Sequence, residues 1–184
     1  MRAFKTLITL STLALALCSA VPGCAIAKED IWDKAAKKTG ISKQTIQSIC
    51  LNESGIGFSD GYRRPWPYVL NSKYGPMFFH TQEKASERLA ELINLGVKNV
   101  DIGMCQMNMA HHGFRVKSPH DFLDPVVNLD AASDYLRELM VRYNGNIVDV
   151  VAAYHTGSLI KEEQQTRGTR YVNSVINIQG KLNK

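Results

Sequence analysis

Apolar side chains recur at helical spacing between residues 42 and 55. They share one stripe of a helix at positions i, i+3 and i+4, namely Ile46, Ile49 and Cys50. Ser42 is a residue type that caps helix N-termini, and Gly55 follows the last periodic position as a stop signal. Glu53 continues the stripe at i+7, so the pattern predicts a helix with a carboxyl group on its apolar face.

The rest of the chain shows the same periodicity in several segments and one short departure from it. Helices are predicted over Lys28–Thr39, Gln82–Leu95, residues 125–143 after Asp124, Asn146–Tyr154, and from about Thr169 onward. Residues 55–80 contain glycine and proline at short intervals. This spacing predicts a loop followed by a hairpin in which Tyr68–Asn71 pairs with Met77–His80. The predicted fold class is mainly α (α+β), with a small β excursion between the second helix and about Met109.

Glu53 is the most informative residue of this pattern. A buried ionised carboxylate costs several kcal/mol unless it is paired, and no Lys or Arg lies on this helix face. Apolar surroundings raise the pKa of a carboxyl group, which suits a general acid near neutral pH. The alternative is a helix end whose last acidic residue reaches solvent beyond Gly55.

The N-terminus has the pattern of an export signal. A basic start precedes an uncharged apolar run over residues 6–17, and Ala25 and Ala27 are small residues at the sites that leader peptidases require. We therefore expect a signal peptide over residues 1–27, cleavage before Lys28, a single domain over residues 28–184, and a periplasmic location. The alternative is a lipid anchor on Cys24, which ends an imperfect lipobox.

Charge and histidine spacing exclude two classes of site. The formal net charge of +5 falls to +3 when Arg2 and Lys5 leave with the signal peptide, and the remaining charges are scattered. Such a surface has no nucleic-acid-binding arm. The five histidines lack the spacing of metal ligands, so we expect no metal and no cofactor.

Two cysteines remain after cleavage, Cys50 and Cys105. An oxidising compartment favours one disulfide between them. The alternative is a pair of buried free thiols, which pack like small hydrophobic residues.

Five motifs occur in an order that resembles the soluble lytic transglycosylase family, which is lysozyme-like. They are Glu53-Ser54-Gly55 at a helix end, the Gly-x-x-Gln element 103–106 with Asn108, the Asn-Leu…Tyr-Leu…Tyr-Asn-Gly series 128–145, Ala-Ala-Tyr-His-Thr-Gly 152–157, and Thr-Arg-Tyr-Val 169–172. The Gln-x-Asn form of the second motif is also similar to c-type lysozymes.

The resemblance implies cleavage of the β-1,4 bond between N-acetylmuramic acid and N-acetylglucosamine in peptidoglycan glycan strands. Glu53 would protonate the glycosidic oxygen and then accept the proton of the C6 hydroxyl, which closes a 1,6-anhydro ring. Tyr154 would orient Glu53 and Gln106 would bind the sugar near the cleaved bond. Further substrate contacts are expected from Ser54, Asn108, Tyr143 and Tyr171.

The chain departs from the family at three places. Cys105 stands where the family has Met, His155 stands where it has Asn, and residues 63–99 form an insert between Glu53 and Gln106. Similar inserts are associated with conjugation, pilus or type IV secretion machines, which makes such a machine the expected partner of a monomeric enzyme.

Two other functions remain open at this point. A hydrolytic muramidase needs a second carboxylate, for which Asp60 and Asp101 are the candidates, although either residue has an ordinary use as a turn former. A non-catalytic subunit that docks on peptidoglycan is the second alternative.

Overall fold

The computed structural model describes residues 30–182, so the predicted signal peptide and the Cys24 anchor lie outside the described residues. This part of the chain contains seven α-helices and six short strands. The helices are α1 Ile31–Thr39, α2 Lys43–Ser54, α3 Gln82–Asn94, α4 Met109–His112, α5 Pro125–Arg142, α6 Ile147–Thr156 and α7 Glu162–Leu182. The strands are β1 Gly55–Gly57, β2 Arg63–Pro65, β3 Val69–Ser72, β4 Gly75–Phe78, β5 Asp101–Ile102 and β6 Met107–Asn108.

Side-chain caps explain where four of the helices begin. Ser42, Thr81, Asp124 and Asn146 each accept a hydrogen bond from a backbone N–H in the first turn of α2, α3, α5 and α6. These bonds satisfy donors that have no partner inside the helix. The helix starts predicted at these residues are confirmed, as is the mainly α, lysozyme-like fold class with its small β region.

The four-stranded antiparallel sheet has the order β4-β3-β5-β6. Residues at every second position face the core, among them Leu70, Ile102 and Met107, which are fully buried. The opposite face carries a row of paired residues across all four strands, Pro76, Asn71, Asp101 and Asn108. One face of the sheet therefore supports the core, and the other forms a floor.

The structure differs from the predicted elements in three places. Residues 55–65 hold the antiparallel ribbon β1–β2 in place of a loop, because three-residue strands are too short to show an alternating pattern. The last helix begins at Glu162, seven residues before Thr169, because its first turns are polar and exposed and carry no apolar stripe. Helix α6 is not buried all round, since Ile147 and Val148 are exposed at its start.

Helix α7 packs against both α2 and α6 along one side of the core. Gly168 makes this close approach possible, since a Cβ atom there would lie 2.8 Å from the Cβ of Ala152. No helix in residues 30–182 has the length and apolar character needed to cross a membrane.

Candidate active site

A cleft of about 920 Å³ opens above the sheet floor, between the sheet and the ends of α2 and α6. Its walls include four of the predicted site residues, Glu53, Gln106, Asn108 and Tyr154. Glu53 reaches the cleft because α2 is anchored below it by Ile46 and Ile49, which are completely buried. Packing of the apolar stripe against the core therefore places the Glu53 carboxyl group at the cleft wall, at the end of α2.

Tyr171 of α7 fixes the orientation of this carboxyl group. Its hydroxyl donates a hydrogen bond of 2.5 Å to Oε1 of Glu53. One residue earlier on α2, Asn52 binds the hydroxyl of Ser174 at 2.6 Å, so two contacts hold the end of α2 against α7. Burial and the neighbouring Glu53 raise the pKa of Tyr171 well above its usual value, so Tyr171 remains a donor.

Burial raises the pKa of Glu53 from 4.5 to about 7. The hydrogen bond from Tyr171 acts in the opposite direction, and the negative charge of Asp101 adds to the increase. Among the described residues no Lys or Arg forms an ion pair with Glu53, so no cation offsets the cost of burying the charge. The pKa of Glu53 thus lies close to neutral pH, in a carboxyl group that lines an open cleft.

The turn between β5 and β6 places Gln106 in the cleft. Gln106 has a φ of 50°, which is unusual for a residue other than glycine, and such strain is common at functional sites. Its side-chain Nε2 donates to the carbonyl oxygen of Gly103 at 2.8 Å, so the amide holds the turn. Oε1 of Gln106 accepts no hydrogen bond from the described part of the chain, which leaves it free to bind a ligand.

Asn128 supports this turn from below, although its sequence position predicted no role for it. It is fully buried on α5 and accepts a hydrogen bond from the N–H of Cys105 at 2.9 Å. Its Nδ2 donates to the carbonyl oxygens of Ile102 and Phe122. The available signal was an amide beside the apolar stripe of a predicted helix, since such a group needs partners when it is buried.

The disulfide between Cys50 and Cys105 joins α2 directly to the same turn. This is the pairing that the sequence predicts. Tyr154 adds a second tie, because its hydroxyl donates to the carbonyl oxygen of Cys105 at 2.8 Å. The acid on α2 and the glutamine of the turn are therefore held in one rigid unit.

The contact with Glu53 that the sequence predicts for Tyr154 is made by Tyr171. Tyr154 lines the cleft near Glu53 but binds Cys105, whereas Tyr171, predicted as a substrate contact, orients Glu53 and does not line the cleft. Local sequence contains no signal for this difference, because the two hydroxyls lie on helices that meet only in the tertiary fold. His155 stacks on the ring of Tyr171 with the centroids 4.6 Å apart, and so covers the residue that holds the acid.

Two of the predicted substrate contacts, Ser54 and Tyr143, do not line the cleft. Ser54 is buried, lies 2.6 Å from the carbonyl oxygen of Met104 and accepts the N–H of Trp66, so its hydroxyl holds the helix end. Tyr143 is the C-terminal cap of α5 and packs on the core outside the cleft. Both residues were assigned to the cleft because their motifs adjoin it in sequence.

Asp101 lies on the cleft floor, and Asp60 does not. The two oxygens of Asp101 accept hydrogen bonds from Asn108 at 2.8 Å and from Asn71 at 3.3 Å, its neighbours across the sheet. Asp60 is exposed on the β1–β2 ribbon and pairs with Arg64. Of the two carboxylates that the sequence suggested, Asp101 alone lines the cleft; Glu138 also lines it but is paired with Arg115.

The sequence model of the transglycosylase SLT domain family matches residues 72–174, more than half of the chain. The chain belongs to the transglycosylase SLT domain family. No curated protein and no solved structure matches the chain. The family match covers Gln106, Asn108, Tyr143, Tyr154 and Tyr171 but begins after α2. The assignment of Glu53 therefore rests on its geometry, because its carboxyl group is oriented by Tyr171 and lines the same cleft as the matched residues Gln106, Asn108 and Tyr154.

The described residues contain no group of three His, Cys, Asp or Glu side chains arranged to hold a metal ion. His111 and His112 lie in the short helix α4, and burial together with the charge of Arg115 lowers the pKa of His112 to about 4.

The raised pKa of Glu53 predicts a pH-dependent stability that the Glu53→Gln variant lacks. Glu53 keeps its proton up to about pH 7 in the folded protein and loses it near 4.5 in the unfolded chain, so stability falls as pH rises between these values. At about 1.4 kcal/mol per pKa unit, the loss is on the order of 3 kcal/mol. Denaturant unfolding at several pH values should show the variant gaining stability over wild type between pH 4.5 and 7.

Other carboxyl groups titrate in both proteins, so their contribution cancels in this difference. Equal unfolding free energies for variant and wild type at every pH would contradict the pKa assigned to Glu53.

Proposed function

We propose that this protein is a peptidoglycan lytic transglycosylase that cleaves the MurNAc-β-1,4-GlcNAc bond and leaves a 1,6-anhydro-MurNAc end. The observation that carries the proposal is the half-buried carboxyl group of Glu53, which lies on the wall of a cleft, is held by Tyr171 and has no cationic partner among the described residues. Membership of the transglycosylase SLT domain family supports peptidoglycan as the substrate.

The geometry supports a reaction with Glu53 as the single proton carrier. Tyr171 occupies Oε1, so Oε2 carries the proton toward the cleft and donates it to the glycosidic oxygen as the bond to C1 breaks. The Tyr171 hydrogen bond then stabilises the carboxylate that forms. That carboxylate removes the proton from the C6 hydroxyl of the same muramic acid, and the C6 oxygen bonds to C1. Glu53 ends protonated, and no water is consumed.

The position of Asp101 in the cleft favours a second candidate function, that of a hydrolytic muramidase. A carboxylate facing the acid across a cleft is the arrangement by which glycosidases stabilise an oxocarbenium-like centre or activate water. In the transglycosylase reaction the negative charge of Asp101 does not act on the substrate. It only raises the pKa of Glu53 and so helps to keep that group protonated.

Digestion of purified sacculi separates the two candidates. Transglycosylase products are about 18 Da lighter than hydrolysis products because no water is added, and mass spectrometry resolves them. We expect anhydro ends from wild type, and turnover within about tenfold of wild type for Asp101→Asn, since this residue donates no proton to the bond. The matched control is Asp60→Asn, which removes a carboxylate away from the cleft. Reducing-end products together with an inactive Asp101→Asn variant would establish the hydrolase instead.

The cellular setting forms part of the proposal. The signal pattern of residues 1–27 and the Cys50–Cys105 disulfide support an exported, periplasmic enzyme. The insert over residues 63–99, which holds β2, the β3–β4 hairpin and α3, supports a role in opening the wall for a conjugation, pilus or secretion machine. An intact and oriented Glu53 argues against a purely docking subunit.

A further inference from the structure

Two phenylalanine side chains stand in the cleft with little cover. Phe78 is 54% exposed and Phe114 is 77% exposed, and both line the same cavity as Glu53. An aromatic ring left in water forfeits the free energy that its burial would contribute. Exposed aromatic rings at the walls of a concave site therefore mark contacts that a ligand completes.

The two rings lie at opposite ends of the sheet floor. Phe78 belongs to β4, one edge strand, and points to the same face as Pro76 two residues earlier. Phe114 lies in the 3₁₀ turn Gly113–Arg115, which follows α4 and hence the other edge strand, β6. From β4 to β6 the sheet has three inter-strand spacings, which together span about 14 Å. Asp101, whose charge acts on Glu53, lies on β5 inside that span.

The floor between the rings is polar. Asn71, Asp101 and Asn108 form the row across β3, β5 and β6, and each of them lines the cleft. A pyranose ring has C–H groups on its faces and hydroxyl or acetamido groups on its edges. Aromatic surfaces at both ends, with two amide groups and one carboxylate between them, match that division of apolar faces and polar edges.

Phe114 is held in place by its neighbours. The guanidinium of Arg115 lies 4.8 Å from the centre of the Phe114 ring, and Arg115 is itself paired with Glu138 at 2.7 Å. One face of the ring is thereby covered, and its high exposure leaves the other available.

We propose that Phe78 and Phe114 are two sugar-binding platforms that grip a β-1,4-linked N-acetylated glycan on both sides of Glu53. The identity of the natural glycan rests on the proposed function. The two platforms themselves are inferred from exposure and position in the cleft. A strand held at both ends of the floor presents an internal bond to the acid, so the enzyme cleaves within glycan strands.

The test measures binding of chitohexaose, a GlcNAc hexamer, to the inactive Glu53→Gln protein by calorimetry. Adding Phe78→Ala or Phe114→Ala should weaken binding by about tenfold each, and both together by about a hundredfold, because the sites are far apart. The matched control is Tyr74→Ala, since Tyr74 is 55% exposed on the same hairpin but lies outside the cleft. It should leave the affinity unchanged.

Unchanged affinity in both phenylalanine variants, or no binding of the hexamer by Glu53→Gln, would overturn the inference. With active enzyme on sacculi, the phenylalanine variants should raise KM and keep kcat, since the rings do not touch the reacting atoms. A wild-type protein that leaves sacculi intact would contradict the proposed function. If the hexamer still binds through Phe78 and Phe114 in that case, the inference about the two sugar-binding platforms remains valid.

Discussion

Replacement of Glu53 by glutamine is expected to lower peptidoglycan turnover by at least ~10²-fold, the low end for loss of a general acid–base group. The amide keeps the size of the side chain, and its Oε1 still accepts the hydrogen bond from Tyr171. It has no proton to donate to the glycosidic oxygen and cannot accept one from the C6 hydroxyl. Muropeptide release from sacculi, followed by chromatography, measures the effect.

The matched control is Glu87→Gln, which neutralises an exposed carboxylate that pairs with Lys84. It should retain wild-type turnover. Wild-type activity should fall as pH rises through about 7, because Glu53 then loses the proton that it must donate. A Glu53→Gln protein that is folded and retains full turnover would rule out Glu53 as the proton donor.

Removal of the disulfide is expected to have the largest effect on stability. Cys50 and Cys105 are 55 residues apart, and for that separation the chain-entropy model gives about 4 kcal/mol of stabilisation. Both side chains are buried, so a Cys50→Ala, Cys105→Ala variant also loses packing beneath the cleft. Its free energy of unfolding, measured by denaturant titration, should fall by roughly that amount.

The experiment has an internal control in the redox state. Reducing the wild-type protein should lower its stability toward that of the double variant, whereas the same reductant should leave the variant unchanged. Turnover should fall in parallel, because the disulfide links the helix of Glu53 to the turn of Gln106. A reduced wild-type protein that keeps its full stability would contradict this account.

Much of the fold was predictable because helix signals are local. Ser42, Asp124 and Asn146 cap helices through hydrogen bonds that span two or three residues, and such bonds are visible in a short stretch of sequence. The β1–β2 ribbon and the first turns of α7 were missed for the converse reason. Their own residues have weak preferences, and contacts with distant parts of the chain determine their structure.

The candidate site shows the same division. Glu53 was predictable because it shares a helical stripe with Ile46, Ile49 and Cys50, and an ionised carboxyl group is costly in such apolar surroundings. Gln106 followed from its place after a glycine turn within a recognisable motif. Ser54 and Tyr143 do not line the cleft although they adjoin cleft residues in the chain, because residues adjacent in sequence point in different directions on a helix.

By itself, the sequence determined the helices, the acid and the cysteine pair, since periodicity, capping and composition act over short distances. Only the tertiary structure decided which tyrosine orients Glu53, because Tyr154 and Tyr171 both carry hydroxyls and the packing of α7 on α2 selects between them. It also selected Asp101 over Asp60 and placed Phe78 and Phe114 at the ends of one floor. These outcomes depend on strand register and helix contact, which bring together residues as distant in the chain as Glu53 and Tyr171, 118 positions apart.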